Sequence, residues 1–243
     1  MTHFLISTVA PATEQGPSFL QFVTGGGVVG WIIIILSVIA LMLSVMHAIQ
    51  IRRDHLVPAS QLSVLSDLLS ARKIEAALEY CIQPENDSYL TRILSPSLSR
   101  YLKSPFGAFE IRSSLEEAGQ EQTAKLYRST DALGVIGSIA PLLGLLGTVQ
   151  GMIGAFDTVA TSAVNDTTYY ESLAGNISLA LITTLQGLIV AIPCVTLFTF
   201  FRNRIDAISS EAAHDVEELV LYIEGSQPGE SGFMPPAGQG TSM

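Results

Sequence analysis

Two apolar stretches of the sequence carry hydroxyl and amide side chains that could hold water or pass a proton. These residues are Ser138, Thr148 and Gln150 in the first stretch and Ser178, Thr183, Thr184, Gln186, Thr196 and Thr199 in the second. Polar groups inside a bilayer usually face protein or water. A single hydroxyl can also bond back to the carbonyl four residues earlier. Gln150 and Gln186 cannot do this easily, so we expect one of these amides to face a polar cavity or another helix.

The same two stretches contain rows of small residues at helical spacing. The first row is Gly134, Gly137, Ala140, Gly144, Gly147, Gly151 and Gly154, and the second is Ala180, Thr184, Gly187, Ala191 and Cys194. Such faces let helix backbones approach closely in membranes. They predict tight packing within the chain, between copies of it, or both. Pro141 and Pro193 each free a backbone carbonyl and predict a kink.

No motif of an enzyme or of a metal or cofactor site is present. The sequence lacks a Walker-type loop, HExxH and GxSxG, and its four histidines are scattered. We therefore expect no catalytic activity, metal or cofactor, and an interfacial role for His47. Two cysteines, Cys81 and Cys194, exclude a disulfide framework.

Charge placement shows which elements must position these residues. Only 14% of the residues are charged, and residues 15–51, 132–156 and 172–201 contain no Asp, Glu, Lys or Arg. A bilayer core needs about 20 apolar residues in a helix. This pattern excludes an ordinary soluble globule, and twelve basic residues in all are too few for a nucleic-acid binder.

We therefore expect an all-α membrane protein with three transmembrane helices, at residues 28–51, 132–156 and 177–201. The first is a span rather than a signal peptide, because no positive region precedes it and its apolar run exceeds the usual length of about 7–15 residues. The second and third spans extend into a helical cytoplasmic region, and their small faces predict an oligomeric bundle.

All twelve basic residues lie within 52–131 or after 201, and none lies within 1–27 or 157–176. The positive-inside rule makes those last two segments the outer, periplasmic side, with the C-terminus in the cytoplasm. The predicted loop at 157–176 is short and gives no site signal.

Residues 52–131 are predicted to be cytoplasmic and helical, with punctuation at Pro58, Pro84, Pro96 and Pro105. Helices are expected over 62–69 and 74–82, and one long helix should run from near Phe106 into the second span. The alternative is a separate helix joined by a turn near Gly134. Residues 202–224 predict an amphipathic helix, and residues 225–243, rich in Gly and Pro, predict a disordered tail.

Two motifs resemble the MotA/TolQ/ExbB proton-channel family. They are APLLGLLGTVQGM, from Ala140 to Met152, and ISLALITTLQGLIVAIP, from Ile177 to Pro193. The segment SSLEEAGQEQ before the second span also resembles ExbB, and the likeness is to the three-span ExbB and TolQ proteins, since MotA has four spans. Together these stretches place the resemblance over roughly residues 25–222.

The resemblance implies a homopentamer in the bacterial inner membrane, with its second and third spans lining a pore. A single-span ExbD- or TolR-like subunit with a membrane aspartate would occupy the pore, and proton flow would drive a TonB-like or Tol-type partner. Energised outer-membrane transport is the function expected. Envelope maintenance, surface motility and a non-conducting scaffold remain alternatives.

The family's pore threonines fall on Thr148 and Thr184. Thr183, Gln186 and Ser138 complete the candidate pathway, while Gly144, Gly147, Gly151, Pro141, Gly187 and Pro193 are the expected packing and kink residues. Many ExbB and TolQ proteins carry a glutamate early in span three, which falls here on Leu179, and some relatives carry one at Gln186. Neither residue titrates here, so the resemblance implies that the titrating carboxylate belongs to the partner.

Overall fold

A computed structural model describes residues 25–104, 107–161 and 167–224. The predicted disordered tail and nearly all of the predicted outer N-terminal segment lie outside the described residues. Within the described ranges the chain forms helices and no strands, which confirms the all-α prediction.

The helices follow one another in a simple order. They are α1 (Gly27–Gln50), α2 (Arg53–Leu56), α3 (Ala59–Ser70), α4 (Ile74–Ile82), a 3₁₀ turn (Pro84–Asn86), α5 (Tyr89–Lys103), α6 (Gly107–Thr161) and α7 (Thr167–Glu224). Three of them, α1, α6 and α7, are long and apolar enough to cross a membrane. The three predicted spans are therefore present as helices.

Helices α6 and α7 are single long helices of 55 and 58 residues. No turn interrupts α6 near Gly134, so the continuous helix is the alternative that the structure supports. Each helix also continues past its predicted outer span end, so residues 157–161 and 167–176 of the predicted outer loop are helical instead. No proline stands between 157 and 176 to stop either helix.

The described residues divide into two compact units. One contains the chain up to Ala40 together with Ile136–Pro193, and we call it the membrane unit. The other contains Leu41–Val135 and the chain from Cys194 onward, and we call it the cytoplasmic unit because it holds all the predicted cytoplasmic helices.

The core of the cytoplasmic unit is an apolar stripe on each helix. The predicted amphipathic stripe after residue 201 is buried in α7: Ile205, Ile208, Ala212, Val216, Leu219, Val220 and Ile223. Leu65, Leu69, Leu90, Leu94 and Leu98 of α3 and α5 are also fully buried. These stripes confirm that the helical period of apolar residues marks the buried faces.

Helix α5 was not expected from the sequence, because Pro96 reads as a helix breaker and in fact lies inside the helix. A capping box starts it. The Thr91 amide donates to Ser88 Oγ at 3.3 Å, and the Ser88 amide donates to Thr91 Oγ1 at 2.9 Å. This cap and the buried leucines of α5 outweigh the one backbone hydrogen bond that Pro96 cannot make.

Candidate functional site

The two membrane-spanning stretches of α6 and α7 pack against each other along their small residues. A Cβ built on Gly147 would lie 2.3 Å from Thr183 Oγ1, and one on Gly187 would lie 2.6 Å from the Ala140 carbonyl. A Cβ on Gly144 would lie 3.0 Å from Thr184 Cα, and one on Gly151 would lie 2.6 Å from the Asn176 carbonyl oxygen. Of the packing modes that the sequence allowed, the structure therefore contains close packing within one chain. We call this contact the glycine seam.

Thr183 lies at the centre of the glycine seam. Its side chain is fully buried, and its hydroxyl donates to the Leu179 and Ala180 carbonyls of its own helix at 3.0 and 2.9 Å. The hydroxyl is thus satisfied locally, as a threonine in a membrane helix can be. In one chain Thr183 has no open side from which to reach a mobile ion.

Thr184 and Thr148 lie at the edge of the seam and are half-buried. Thr184 Oγ1 donates across the helices to the Gly144 carbonyl at 3.2 Å and to the Ala180 carbonyl at 3.3 Å. Thr148 Oγ1 donates to the Leu145 carbonyl of its own helix at 2.6 Å. Each hydroxyl oxygen also has acceptor lone pairs and can rotate its proton towards a new partner.

Gln186 faces the first helix rather than the seam. Its side chain is only 4% exposed. A Cβ built on Gly26 or Gly30 would lie 2.5 or 2.8 Å from Gln186 Oε1. One of the two expected amides therefore packs against another helix, while Gln150 is exposed on α6.

The remaining candidates occupy more open positions. Ser138 is exposed and Pro141 is half-buried on α6, and Pro193 is exposed on α7. Both helices continue through their prolines.

A polar contact missed by the sequence analysis joins α6 and α7 near the predicted outer loop. Asn176 Nδ2 donates to Thr158 Oγ1 at 3.2 Å, and a Cβ on Gly154 would lie 2.9 Å from Asn176 Oδ1. The asparagine in an otherwise apolar run was the available signal. Similarly, the glycines at the start of α1, Gly25, Gly26, Gly27 and Gly30, were the signal for the contact with Gln186.

Charged side chains are confined to other parts of the chain. Residues 15–51, 132–156 and 172–201 contain no Asp, Glu, Lys or Arg. No group of three potential metal ligands occurs in the part of the chain that the structure describes. The charge-free stretches of the membrane unit therefore offer hydroxyls and one buried amide, but no carboxylate to carry a proton.

The cytoplasmic unit, by contrast, carries ion pairs at exposed positions. Arg53 pairs with Glu211 at 3.0 Å and Arg100 with Glu117 at 3.1 Å.

His47 is fully buried and packs edge-to-face against Phe201, with 5.8 Å between ring centroids. His47 therefore makes a packing contact near the C-terminal end of α1.

A cavity of about 780 Å³ lies in the cytoplasmic unit between α5, α6 and α7. Its walls are mainly apolar, but Tyr89, Thr123 and Ser209 contribute a cluster of hydroxyls. Tyr89 Oη lies 2.8 Å from Thr123 Oγ1, which lies 3.2 Å from Ser209 Oγ. The three hydroxyls satisfy one another and link the three helices.

A model of the family described as the MotA/TolQ/ExbB proton channel family matches residues 85–214. The chain belongs to this family. The match covers most of α6 and α7, so the glycine seam and both half-buried threonines lie inside the region that defines this proton channel family.

Three curated relatives give the same result. The biopolymer transport protein exbB1 of Vibrio cholerae is 29% identical over 65% of this chain and 75% of its own length. A putative biopolymer transport protein ExbB-like 1 of Synechocystis is 29% identical over 76% of this chain and 70% of its own length. The ExbB protein of Xanthomonas campestris is 34% identical over 48% of this chain, which spans about half of that relative.

Proposed function

We propose that this chain is the pore-forming subunit of an ExbB/ExbD-type motor in the bacterial inner membrane, which uses the proton motive force to energise outer-membrane transport. Membership of the proton channel family supports the role as a proton channel. Relatives named as biopolymer transport proteins support transport as the process that the motor drives. The proposed function is not enzymatic.

One observation carries the mechanism: Thr148 and Thr184 are half-buried hydroxyls in spans that contain no ionisable carboxylate. The proton-carrying group must then come from another chain. We assign it to the membrane aspartate of a single-span ExbD- or TolR-like partner. The two threonines hydrogen-bond to that carboxylate or to its water, and this chain supplies the path.

Approximate energies are consistent with this division. An ionised aspartate at a helix centre costs about 2.5–3.5 kcal/mol in a bilayer. One charge crossing 100 mV releases about 2.3 kcal/mol. Protonation therefore decides whether the partner can move against the apolar wall of the pore, and a few protons suffice for a large movement.

We further propose a homopentamer with α6 and α7 around the pore, a periplasmic N-terminus and a cytoplasmic C-terminus, working with a TonB-like protein. The orientation rests on the basic residues, all of which lie in the segments assigned to the cytoplasm. The exposed apolar side chains of α6, among them Leu142, Leu145 and Val149, provide surface for lipid or neighbouring copies.

A non-conducting scaffold is the second candidate, and the absence of carboxylates from the charge-free stretches is the observation that favours it. A small gene next to this one, encoding a single-span protein with an aspartate in its span, would favour the motor. Its absence would favour the scaffold.

Proton flux in vesicles that contain this chain and its partner tests the proposed role of the threonines. Thr148→Val and Thr184→Val keep the side-chain shape but remove the hydroxyl. A hydrogen bond to a charged group contributes about 1.5–3 kcal/mol, so we expect coupled flux to fall about tenfold or more.

Thr199→Val is the matched control, because Thr199 is exposed on α7 and donates only to the Val195 carbonyl of its own helix at 2.9 Å. We expect it to keep the flux. Unchanged flux in both Thr148→Val and Thr184→Val would exclude the threonine assignment.

A further inference from the structure

The buried amide of Gln186 lies against a gap in the surface of the first helix. Gly26 and Gly30 stand one helical turn apart, where the Gly30 amide donates to the Gly26 carbonyl at 2.8 Å. A side chain at either position would collide with Gln186 Oε1. We call this gap the Gly26/Gly30 notch, and it is open only because both residues lack a Cβ.

A second contact fixes the same face of α7. Gly27 has a φ of +57°, which favours glycine, and a Cβ there would lie 3.4 Å from Leu179 Cδ1. Leu179 and Gln186 are seven residues apart and therefore share one face of a helix. Two contacts along one face hold α7 in a defined rotation against the start of α1.

This rotation determines where Thr184 points. A helix turns about 100° per residue, so Thr184 lies about 160° away from Gln186 around α7. Holding Gln186 in the notch therefore keeps Thr184 on the side away from α1, at the edge of the glycine seam, where it is half-buried.

We infer that Gln186 is a positioning residue, whose carboxamide seats in the Gly26/Gly30 notch and thereby sets the rotation of α7 that presents Thr184 to the proton-carrying partner. The last part of this inference rests on the proposed function. Gln186 itself takes no proton and lies outside the ion path.

The test measures the exposure of position 184 in the full-length chain without any partner. Thr184→Cys is introduced after Cys81→Ala and Cys194→Ala remove the two native thiols, both of which are buried. The rate of labelling by a membrane-permeant maleimide in lipid vesicles then reports the rotation of α7.

Filling the notch with Gly30→Leu should change this rate severalfold, and adding Gln186→Ala should restore it by making room. Gly175→Leu is the matched control, since a Cβ there meets nothing within 4 Å, and it should leave the rate unchanged. Gly30→Ala should act in the same direction but more weakly, because only the flexible amide tip comes within 3 Å. It replaces Gly30→Leu if that variant does not insert.

An unchanged rate in the Gly30 variants, or a changed rate that Gln186→Ala does not restore, would overturn the positioning role. Because no partner and no proton gradient are present, this result is independent of the motor proposal. Coupled flux with the partner is measured separately. If Gly30→Leu changes the labelling rate as expected but leaves coupled flux unchanged, the role of Gln186 in setting the rotation of α7 stands. Its link to the function of Thr184 is then overturned.

Discussion

The membrane unit has polar side chains on a buried face and on a half-buried face, and the surroundings of the two faces differ. Thr183 and Gln186 are enclosed by glycines, one against α6 and the other beside the start of α1. Thr148 and Thr184 carry the same hydroxyl group as Thr183, but at half-buried positions. Polar side chains in a membrane helix can thus serve either to fix a helix or to meet a mobile partner, and the packing around each decides which.

Adjacent positions show this difference most clearly. Thr183 is fully buried beside Gly147, whereas Thr184 is only half-buried. A change at Thr183 should therefore affect stability, and a change at Thr184 should affect proton coupling. The predictions below follow from this separation.

The largest loss of stability should come from closing the glycine seam. In Gly147→Ala the new Cβ would lie 2.5 Å from Thr183 Cβ, close to the backbone, so the helices must move apart. Overpacking of this kind costs about 1–3 kcal/mol. We expect a clear decrease in the thermal unfolding temperature of the detergent-solubilised protein. Gly175→Ala, with no neighbour within 4 Å, should have little effect. Equal unfolding temperatures for the two variants would contradict the seam.

The same substitution at neighbouring positions should have unequal effects. Thr183→Leu places a larger side chain in a fully buried site and should cost about 1–3 kcal/mol. Thr184→Leu enlarges a half-buried side chain and removes one interhelical hydrogen bond, which contributes about 0.6 kcal/mol on average in membranes. Unfolding of both variants under identical detergent conditions gives the comparison. A larger loss in Thr184→Leu would mean that the two faces are assigned the wrong way round.

The smallest effect should come from an exposed ion pair in the cytoplasmic unit. The hydrogen bond from Arg92 lowers the pKa of Asp87. Because the folded pKa lies below the unfolded value of about 3.9, the pair stabilises the protein above that pH, and its contribution is lost as the pH falls through the folded pKa. Both side chains are at least half exposed, so the contribution is a few tenths of a kcal/mol.

Asp87→Asn checks this sign. The variant should be slightly less stable than the parent at pH 7, and the difference should disappear in acid, once the pH lies below the folded pKa of Asp87. Denaturant unfolding at the two pH values measures it. A difference that grows as the pH falls would show that Arg92 does not stabilise the charged form of Asp87.

The sequence predicted the helices better than the contacts between them. Charge-free stretches and the apolar period located α1, α6 and α7, because burial in lipid and in a protein core impose regular patterns on single elements. Pro96 was misleading, since a cap at Ser88 and tertiary packing sustain α5 around it.

Residue types alone could not separate the two faces of the membrane unit. Thr183 and Thr184 are chemically identical, and only the packing partner of each, some 40 residues away along the chain, tells them apart. The contact between Gln186 and Gly26 spans 160 residues. Contacts at such separations depend on how whole helices pack, which no local pattern encodes.

The central proposal is that this chain supplies the proton path and its partner supplies the titrating carboxylate. The most direct test is proton flux in three sets of vesicles under an imposed membrane potential. The first contains this chain alone, the second adds its single-span partner, and the third adds the partner with its membrane aspartate replaced by asparagine. We predict flux only in the second set, because this chain supplies hydroxyls and the partner supplies the carboxylate. Proton flux through this chain alone would contradict it.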